Sequence, residues 1–199
     1  MGDLNGTHVY PLRMAGRKRK LENLGTKSVA LFGCGGVGGF AMEALVRTGI
    51  GRLVLIDGDK VTVSNLNRQL IATQETIGRR KVEVAKERAL SIRPDMQVDT
   101  YDIVYTKEAY PDFIKDIKVD FVIDAIDMVT AKLAIIENCQ ELGIPCISSM
   151  GTGNKMHPGL LRISDISKTH TCPLAKVIRR ELRKRGIKKQ TEFFPLKSR

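Results

Sequence analysis

A glycine-rich segment directly after a short apolar run constrains the fold of this sequence more than any other feature. Residues 28–33 read SVALFG, and the segment continues as G-x-G-x-x-G. Its glycines are Gly33, Gly35, Gly36 and Gly38. Apolar residues at helical spacing follow, and a second apolar run ends in Asp57, 19 residues after Gly38. The order of strand, glycine turn, helix and strand-terminal acid is the fingerprint of a mononucleotide-binding unit.

Each part of this fingerprint has a physical role in binding a nucleotide. Glycines let the backbone approach a phosphate closely, and the first turn of the helix offers free N–H groups. A carboxylate at the end of the next strand accepts hydrogen bonds from ribose hydroxyls. The alternative is that the glycines only make a tight turn, but the strand, the helix and Asp57 together favour nucleotide binding.

The rest of the sequence continues the alternation of strands and helices. Predicted strands lie at 52–57, 97–105, 121–127 and 145–150, and predicted helices at 37–48, 79–92, 108–116 and 130–142. This order predicts an α/β fold of Rossmann-like type, a doubly wound and mostly parallel sheet. With 199 residues, we expect one domain spanning 1–199. We expect an N-terminal extension over 1–27, loops over 152–171, a basic helix over 173–189 and an atypical tail over 190–199.

Composition excludes several classes of protein. The chain has 33 Lys and Arg against 22 Asp and Glu, a formal net charge of +11. No apolar run is long enough for an integral membrane segment, and the N-terminus shows no signal pattern, so we expect a cytoplasmic protein. The four cysteines form no C-x-x-C pair, which argues against a structural zinc site.

Eight basic residues and one acid lie between Lys176 and Lys189, which predicts a surface that binds a polyanion.

The loop after Asp57 bears on which nucleotide binds. About 50 residues follow Met150, which leaves little room for the substrate domain of a nicotinamide enzyme. Polar side chains are crowded after Asp57, with Lys81 at the start of the next helix: Asp59, Asn65, Asn67, Arg68 and Gln69. Arg68 and Lys81 would place two cations beside the phosphate loop. Two cations are better suited to neutralising a triphosphate during attack on it than to supporting hydride transfer from a nicotinamide cofactor. The alternative is a solvated polar loop.

These residues resemble a known family. The segments concerned are 33–38 (GCGGVG), 57–59 (DGD), 64–69 (SNLNRQ), 78–83 (GRRKVE) and 124–127 (DAID). They look like the ThiF/MoeB/HesA adenylating enzymes, relatives of the ubiquitin-activating enzymes, over about residues 28–182. Segments 47–51 (RTGIG), 165–169 (DISKT), 173–176 (PLAK) and 180–183 (RELR) are similar to the tRNA threonylcarbamoyladenosine dehydratase branch. The sulfur-carrier branches carry C-x-x-C pairs that this chain lacks.

The resemblance implies a role for each matching residue, with ATP and Mg²⁺ as cofactors. Asp57 would hold the ribose and Asn65 and Arg68 the phosphates, with Asp59 and the four glycines completing the nucleotide site. Lys81 would contact the β- and γ-phosphates, and Asp127 would be the ligand of the catalytic Mg²⁺. We therefore expect Arg68, Lys81 and Asp127 to be catalytic. For Asp127 the alternative is a helix N-cap, whereas Asp124 is the more structural acid of the two.

The sequence also departs from the family pattern. The family places a nucleotide-contacting arginine near the N-terminus, often donated across a dimer, and here Arg13 and Arg17 are the candidates. Family members continue beyond Lys189, so the chain reads as truncated or altered there. Cys172 is either a thiol activated at a helix N-terminus or the cap of a helix that starts with Pro173, and the cap is favoured.

The resemblance leads to an expected function with two alternatives. We expect ATP-dependent adenylation of a carboxylate, that of threonylcarbamoyladenosine in tRNA, followed by cyclisation with net dehydration and release of AMP. Homodimerisation and a tRNA contact through the basic helix are expected with it. One alternative is an activator of a ubiquitin-like sulfur-carrier protein. The other is a nucleotide-binding module with impaired catalysis.

Overall fold

The computed structural model describes residues 23–153 and 161–187, together with the backbone of strand 191–195. The chain divides into two compact units, Met1–Val104 and Tyr105–Arg199. Each unit contains parallel strands connected through helices.

The first unit contains the predicted nucleotide fingerprint. Its elements are β1 (Ser28–Phe32), α1 (Gly38–Thr48), β2 (Arg52–Ile56), a short 3-10 helix (Val63–Asn65), α2 (Lys81–Ile92) and β3 (Gln97–Tyr101). β2 pairs in parallel with β1 on one side and with β3 on the other. The carboxyl ends of the three strands therefore lie at one edge of the sheet, where open α/β sheets bind their ligands.

The buried strands explain why this unit folds as it does. Leu31, Val54 and Leu55 are fully buried, as expected for parallel strands that are covered on both faces. α1 ends at Gly49, whose φ of 91° allows the left-handed turn that stops the helix. These local signals agree with the tertiary packing, so the segment from β1 to β2 matches the sequence prediction within one residue at each end.

The second unit alternates in the same way and then adds an antiparallel strand. Its elements are α3 (Phe113–Asp116), β4 (Phe121–Asp124), α4 (Val129–Glu141), β5 (Cys146–Ser149), β6 (Leu161–Asp165), a 3-10 helix (Ile166–Lys168), α5 (Pro173–Lys184) and β7 (Thr191–Pro195). β5 pairs in parallel with β4 and with β7, and β6 pairs antiparallel with β7. α4 and α5 share a buried apolar cluster that includes Leu133, Ile178 and Leu182.

The predicted mostly parallel α/β class is confirmed, and several predicted boundaries are wrong. β3 ends at Tyr101 rather than 105, and β4 ends at Asp124 rather than 127. The helix predicted over 108–116 begins at Phe113, and the basic helix predicted over 173–189 ends at Lys184. The segment 152–171, predicted as loops, contains β6, and the backbone of the atypical tail contains β7. β6 has no buried residue, so it lacks the apolar run by which the other strands were found.

Among the helices of the described residues, none is long and apolar enough to cross a bilayer.

Candidate functional site

The glycine loop after β1 lies against the residues that follow the 3-10 helix. Gly33 adopts a φ of 90° and its N–H donates to the carbonyl of Ile56 (2.8 Å), which turns the chain out of the strand. A Cβ on Gly35 would be 3.5 Å from the side-chain nitrogen of Gln69, and one on Gly36 would be 3.5 Å from the carbonyl of Arg68. The loop and the Arg68–Gln69 segment are therefore in direct contact.

Asp57 is held at this loop by two backbone donors. Its Oδ2 accepts from the N–H of Cys34 (2.7 Å) and its Oδ1 from the N–H of Asp59 (2.8 Å). Burial raises the pKa of Asp57 above its ordinary value, although these hydrogen bonds and the charge of Lys81 oppose that shift. A carboxylate oxygen has two lone pairs, so each oxygen can accept one more hydrogen bond. The arrangement fits the ribose hydroxyls of a nucleotide.

The residue between the two acids has no room for a side chain. A Cβ on Gly58 would lie 2.6 Å from the Cγ2 of Val104 and 2.8 Å from the backbone carbon of Ile103. The backbone just past β3 therefore packs directly on the loop after β2. This contact fixes the positions of Asp57 and Asp59.

Lys81 is the first residue of α2 and points back to the same loop. Its Nζ donates to the Oδ2 of Asp59 (2.6 Å), and its backbone N–H donates to the carbonyl of Asp59 (3.0 Å). The Lys81 side chain is only 7% exposed, whereas that of Asp59 is 67% exposed. The ammonium group is thus held in place by a partner that solvent, or a ligand, can reach.

A neighbouring arginine, which the sequence analysis did not single out, strengthens this connection. Arg80 donates through Nη1 to the carbonyl of Gly58 (3.3 Å), and its Nε forms an ion pair with the Oδ2 of Asp102 (2.9 Å). It ties the start of α2 to the loop after β2 and to the end of β3. Its position beside Lys81 was visible in the sequence, but its partners were not, because they lie 22 residues apart in each direction.

Asn65 and Arg68 have different roles in the turn that covers the glycine loop. Asn65 is buried, and its Oδ1 accepts from the N–H of Thr62 (3.1 Å). Arg68 is exposed, and its Nη1 donates to the carbonyl of Ser64 (2.8 Å) and to the Oδ1 of Asn67 (3.0 Å). Both acceptors are neutral, so the Arg68 charge is available to an anion, whereas Asn65 shapes the turn.

Gln69 is a polar residue of this region that was not assigned a role from the sequence. Its side chain is buried, and its Oε1 has no hydrogen-bond partner among the described residues. A buried amide without a partner is costly, which makes this atom a candidate for a contact with a bound ligand. The sequence contained no signal for it beyond its place after Arg68.

Cys34 lies inside the glycine loop but lacks the character of a nucleophile. It is 1% exposed, and burial raises the pKa of its thiol far above the ordinary value, with a further contribution from the charge of Asp57. The reactive thiolate is therefore suppressed. Cys34 serves as a small side chain whose N–H orients Asp57.

In the second unit, Asp124 ends β4 in a fully buried ionic cluster. Its Oδ2 accepts from the Nζ of Lys132 (2.8 Å) and from the hydroxyl of Ser148, and Lys132 also donates to that hydroxyl (3.1 Å). None of the three side chains reaches solvent. The Oδ1 of Asp124 accepts from the N–H of Ile126 (3.2 Å), which shapes the start of the 125–128 loop. The expectation that Asp124 is the structural acid agrees with this geometry.

Asp127 is placed differently from Asp124. It is exposed, three residues past the end of β4. α4 begins at Val129 with Met128 at the N-cap, and no side chain caps it. The N-cap alternative for Asp127 is therefore wrong. Within the described ranges no cation is paired with this carboxylate, so it can take a ligand.

Whether a metal ion can bind depends on which side chains are available as ligands. No group of three or more His, Cys, Asp or Glu side chains that could hold a metal occurs among the described residues. Mg²⁺ does not require such a group, because it commonly takes one or two carboxylates, phosphate oxygens and waters. The exposed Asp127 carboxylate fits that role.

The remaining candidates fall into two groups. Cys172 caps α5: its Sγ accepts from the N–H of Ala175 (3.4 Å) and from that of Gly151 (3.3 Å), with Pro173 in the first turn. The capping interpretation of Cys172 thus agrees with the structure. Arg13 and Arg17, the arginines expected to contact a nucleotide across a dimer, lie outside the described residues.

Comparisons with known proteins decide which family this site belongs to. The model of the ThiF family matches residues 10–191, nearly the whole chain. The chain belongs to the ThiF family. This ThiF-family chain is 48% identical over 172 residues to the tRNA threonylcarbamoyladenosine dehydratase of Bacillus subtilis, covering 86% of this chain and 67% of the relative. It is 37% identical over 171 residues to the Escherichia coli protein of that name, covering 86% and 63%.

Solved structures agree with these relatives. The ATP complex of the Escherichia coli tRNA N6-threonylcarbamoyladenosine dehydratase, TcdA, matches with a TM-score of 0.87 and 34% identity, over 94% of this chain and 79% of that chain. Its AMP complex matches with the same TM-score and identity, over 94% and 78%. The resemblance to the dehydratase branch is thus confirmed, and this chain spans about two thirds of the length of the curated relatives it matches.

Proposed function

We propose that this ThiF-family protein is an ATP-dependent adenylating enzyme that acts on the carboxylate of threonylcarbamoyladenosine in tRNA. The observation that carries the proposal is the glycine loop in contact with Arg68, with Asp57 and Lys81 held beside it, in a chain whose relatives bear the name of the dehydratase. Adenylation joins the carboxylate to the α-phosphate with release of pyrophosphate. A neighbouring atom of the same nucleoside then closes a ring on the activated carbonyl and releases AMP, which is a net dehydration.

The residues of the first unit would bind ATP. Gly35 and Gly36 let the backbone approach the phosphates, and Asp57 accepts from the ribose hydroxyls through its free lone pairs. Arg68 exchanges its two neutral acceptors for phosphate oxygens, which adds the attraction between opposite charges to its hydrogen bonds. Lys81, whose exposed partner Asp59 stays hydrated, shares its charge with the leaving pyrophosphate. Asn65 would support the phosphate site through the turn it caps.

Asp127 would hold Mg²⁺ in the second unit. When bound, Mg²⁺ neutralises charge that develops on the phosphate oxygens during the transfer. Asp127 contributes an exposed carboxylate at the carboxyl end of a parallel strand, and Asp124 orders the backbone of the same loop. The second step needs no protein nucleophile, which is consistent with the buried state of Cys34 and Cys172.

Pyrophosphate release tests this function. We expect release when ATP is combined with tRNA that contains threonylcarbamoyladenosine, and none with a small carrier protein ending in Gly-Gly. Release with the carrier protein alone would instead identify an activator of sulfur carriers. ATP binding without pyrophosphate release under either condition would identify a nucleotide-binding module with impaired catalysis.

The role of Asp127 gives a sharper test. Asp127→Asn keeps the size of the side chain but loses its charge, so we expect pyrophosphate release to fall by two orders of magnitude or more while ATP affinity changes only a few-fold. Glu141→Gln, at the exposed end of the helix that follows, is the control and should release pyrophosphate at the parent rate. An Asp127→Asn variant with the parent rate would overturn the metal role.

Homodimerisation remains a proposal that rests on the family resemblance. Light scattering at micromolar concentration should give a mass of twice the 22.1 kDa of the chain. A species of 22.1 kDa at all concentrations would contradict it.

A further inference from the structure

The outer face of α5 carries a continuous set of basic side chains. At roughly 100° per residue, the buried Ala175, Ile178 and Leu182 define one face of this helix. Four exposed basic residues fall within an arc of about 100° on the opposite face. They are named here the basic strip: Lys176, Arg180, Arg183 and Lys184.

α5 is anchored firmly, so the basic strip is held in one orientation. The buried face packs in the apolar cluster with Leu133 and Ile136 of α4. The N-terminus is capped by Cys172, and Arg185, just past the last turn, donates to Glu137 of α4 (2.8 Å). A rigid helix loses less conformational freedom when it binds a partner.

Not every cation of this helix belongs to the strip. The Nη1 of Arg179 donates to the carbonyl of Thr169 (2.7 Å) and to its hydroxyl (2.6 Å). Arg179 therefore fastens the turn that carries the exposed Lys168, and it is only partly exposed, unlike the four residues of the strip. In the sequence Arg179 is one of the basic residues of this run, whereas in the structure its contacts with Thr169 distinguish it from the strip residues.

The charge of the strip is only partly balanced. Glu181 accepts from Arg180 (2.9 Å) and from Lys184 (3.2 Å), and hydrogen bonds from both hold its pKa below the ordinary value. One carboxylate thus serves two of the four cations, while Lys176 and Arg183 have no ion-pair partner in the described part of the chain. Exposed ion pairs of this kind stabilise a protein only weakly, so a phosphate can displace them.

We propose that the basic strip of α5 binds the phosphate backbone of tRNA, an inference that rests on the proposed function for the identity of the RNA. α5 contains no aromatic residue to stack on bases, so the contact reads phosphate and shape rather than sequence. The modified nucleoside is recognised elsewhere. An anionic membrane is the other polyanion of this size, but α5 lacks the aromatic residues by which interfacial helices insert.

A quadruple variant with glutamine at the four strip positions tests the proposal. The parent and the variant K176Q/R180Q/R183Q/K184Q are compared in tRNA binding across a range of salt concentrations. The logarithm of the binding constant falls linearly with the logarithm of the salt concentration, and each lost phosphate contact should make this slope less steep by about 0.7–0.9. We expect tRNA binding at 0.1 M salt to weaken at least about tenfold, with the slope reduced by two or more such contacts.

A matched control separates the strip from overall charge. The variant R47Q/R88Q/K107Q/K115Q also removes four exposed or surface cations, all outside α5, and should keep the parent slope. Equal slopes for the parent and the strip variant would overturn the proposal, as would an equal loss in both variants. A strip variant that binds tRNA like the parent but loses binding to phosphatidylserine vesicles would assign the strip to a membrane.

The outcome is distinguishable from failure of the proposed function. With ATP affinity unchanged, the strip variant should recover pyrophosphate release at high tRNA concentration, because its catalytic residues are intact. If the parent itself releases no pyrophosphate with tRNA but binds it through the strip, the proposed function fails and the docking surface stands.

Discussion

Two lysine–aspartate pairs, one in each unit, differ in how far solvent reaches them. The Nζ–Oδ2 distances are similar, 2.6 Å for Lys81–Asp59 and 2.8 Å for Lys132–Asp124. In the first pair the Asp59 side chain is 67% exposed, whereas in the second both side chains are fully buried. Lys132 also has the Ser148 hydroxyl as a second partner.

The difference separates a pair suited to a ligand from a pair suited to the fold. Lys81 can share its charge with an incoming phosphate, because its partner remains hydrated if the ion pair loosens. Lys132 has no such freedom, since removing either charge would leave the other buried and uncompensated. The two pairs use the same chemistry, and their surroundings decide whether it supports binding or structure.

The largest expected effect is on stability. Lys132→Met should lower the free energy of unfolding by about 3–5 kcal/mol, because Asp124 would be left as an unpaired buried charge. Lys81→Met, the matched change in the other pair, should lower it by about 1 kcal/mol or less, since Asp59 stays in water. Chemical denaturation measures both. Similar losses for the two variants would mean that burial does not distinguish the pairs.

A double variant sharpens the same comparison. Asp124→Asn combined with Lys132→Met removes both charges, and most of the lost stability should return because no buried charge remains. If the double variant is as unstable as Lys132→Met alone, the loss comes from packing of the lysine stem rather than from the unpaired charge.

A smaller effect is expected at the exposed cation of the nucleotide loop. Arg68→Ala should weaken ATP binding by about 1.5–3 kcal/mol, the value of one charged hydrogen bond, while leaving the unfolding free energy nearly unchanged. Titration calorimetry with ATP and with NAD measures it, with Arg47→Ala as the control. Unchanged ATP affinity in Arg68→Ala, or tighter binding of NAD than of ATP by the parent, would contradict the assignment of the loop.

The smallest effect concerns Glu43, a carboxylate that two exposed arginines share at the surface of the first unit. Hydrogen bonds from Arg88 and then Arg47 hold the pKa of Glu43 below its ordinary value of 4.5. A carboxyl with a lowered pKa stabilises the fold above its unfolded pKa, and this contribution is lost as the pH falls through the folded value.

The corresponding test is Glu43→Gln. The parent should be more stable than this variant by at most about 1 kcal/mol at pH 7, and the difference should shrink below pH 4.5. Denaturation at several pH values measures the difference. A difference that is constant with pH would show that the charge of Glu43 does not contribute.

The sequence by itself determined the features that depend on neighbouring residues. The glycine loop, α1, β2 and Asp57 follow from local backbone chemistry, because glycines, an apolar run and a strand-terminal acid act within about thirty residues. The amphipathic pattern of α5 and the cap at Cys172 are local in the same sense. The family resemblance added the expected roles of Arg68, Lys81 and Asp127, which local chemistry alone left open.

Only the tertiary structure decided which polar side chains meet. One buried cluster is formed by residues of β4, α4 and β5, namely Asp124, Lys132 and Ser148. Their spacing in the sequence does not predict that they meet. The contact of Arg179 with Thr169 and the position of Gln69 beside the glycine loop were likewise visible only in the structure. β6 has no apolar run in its sequence, and it is recognised as a strand by its antiparallel pairing with β7. The physical reason is that burial and pairing depend on what the fold brings near a residue, whereas the sequence records only what lies beside it in the chain.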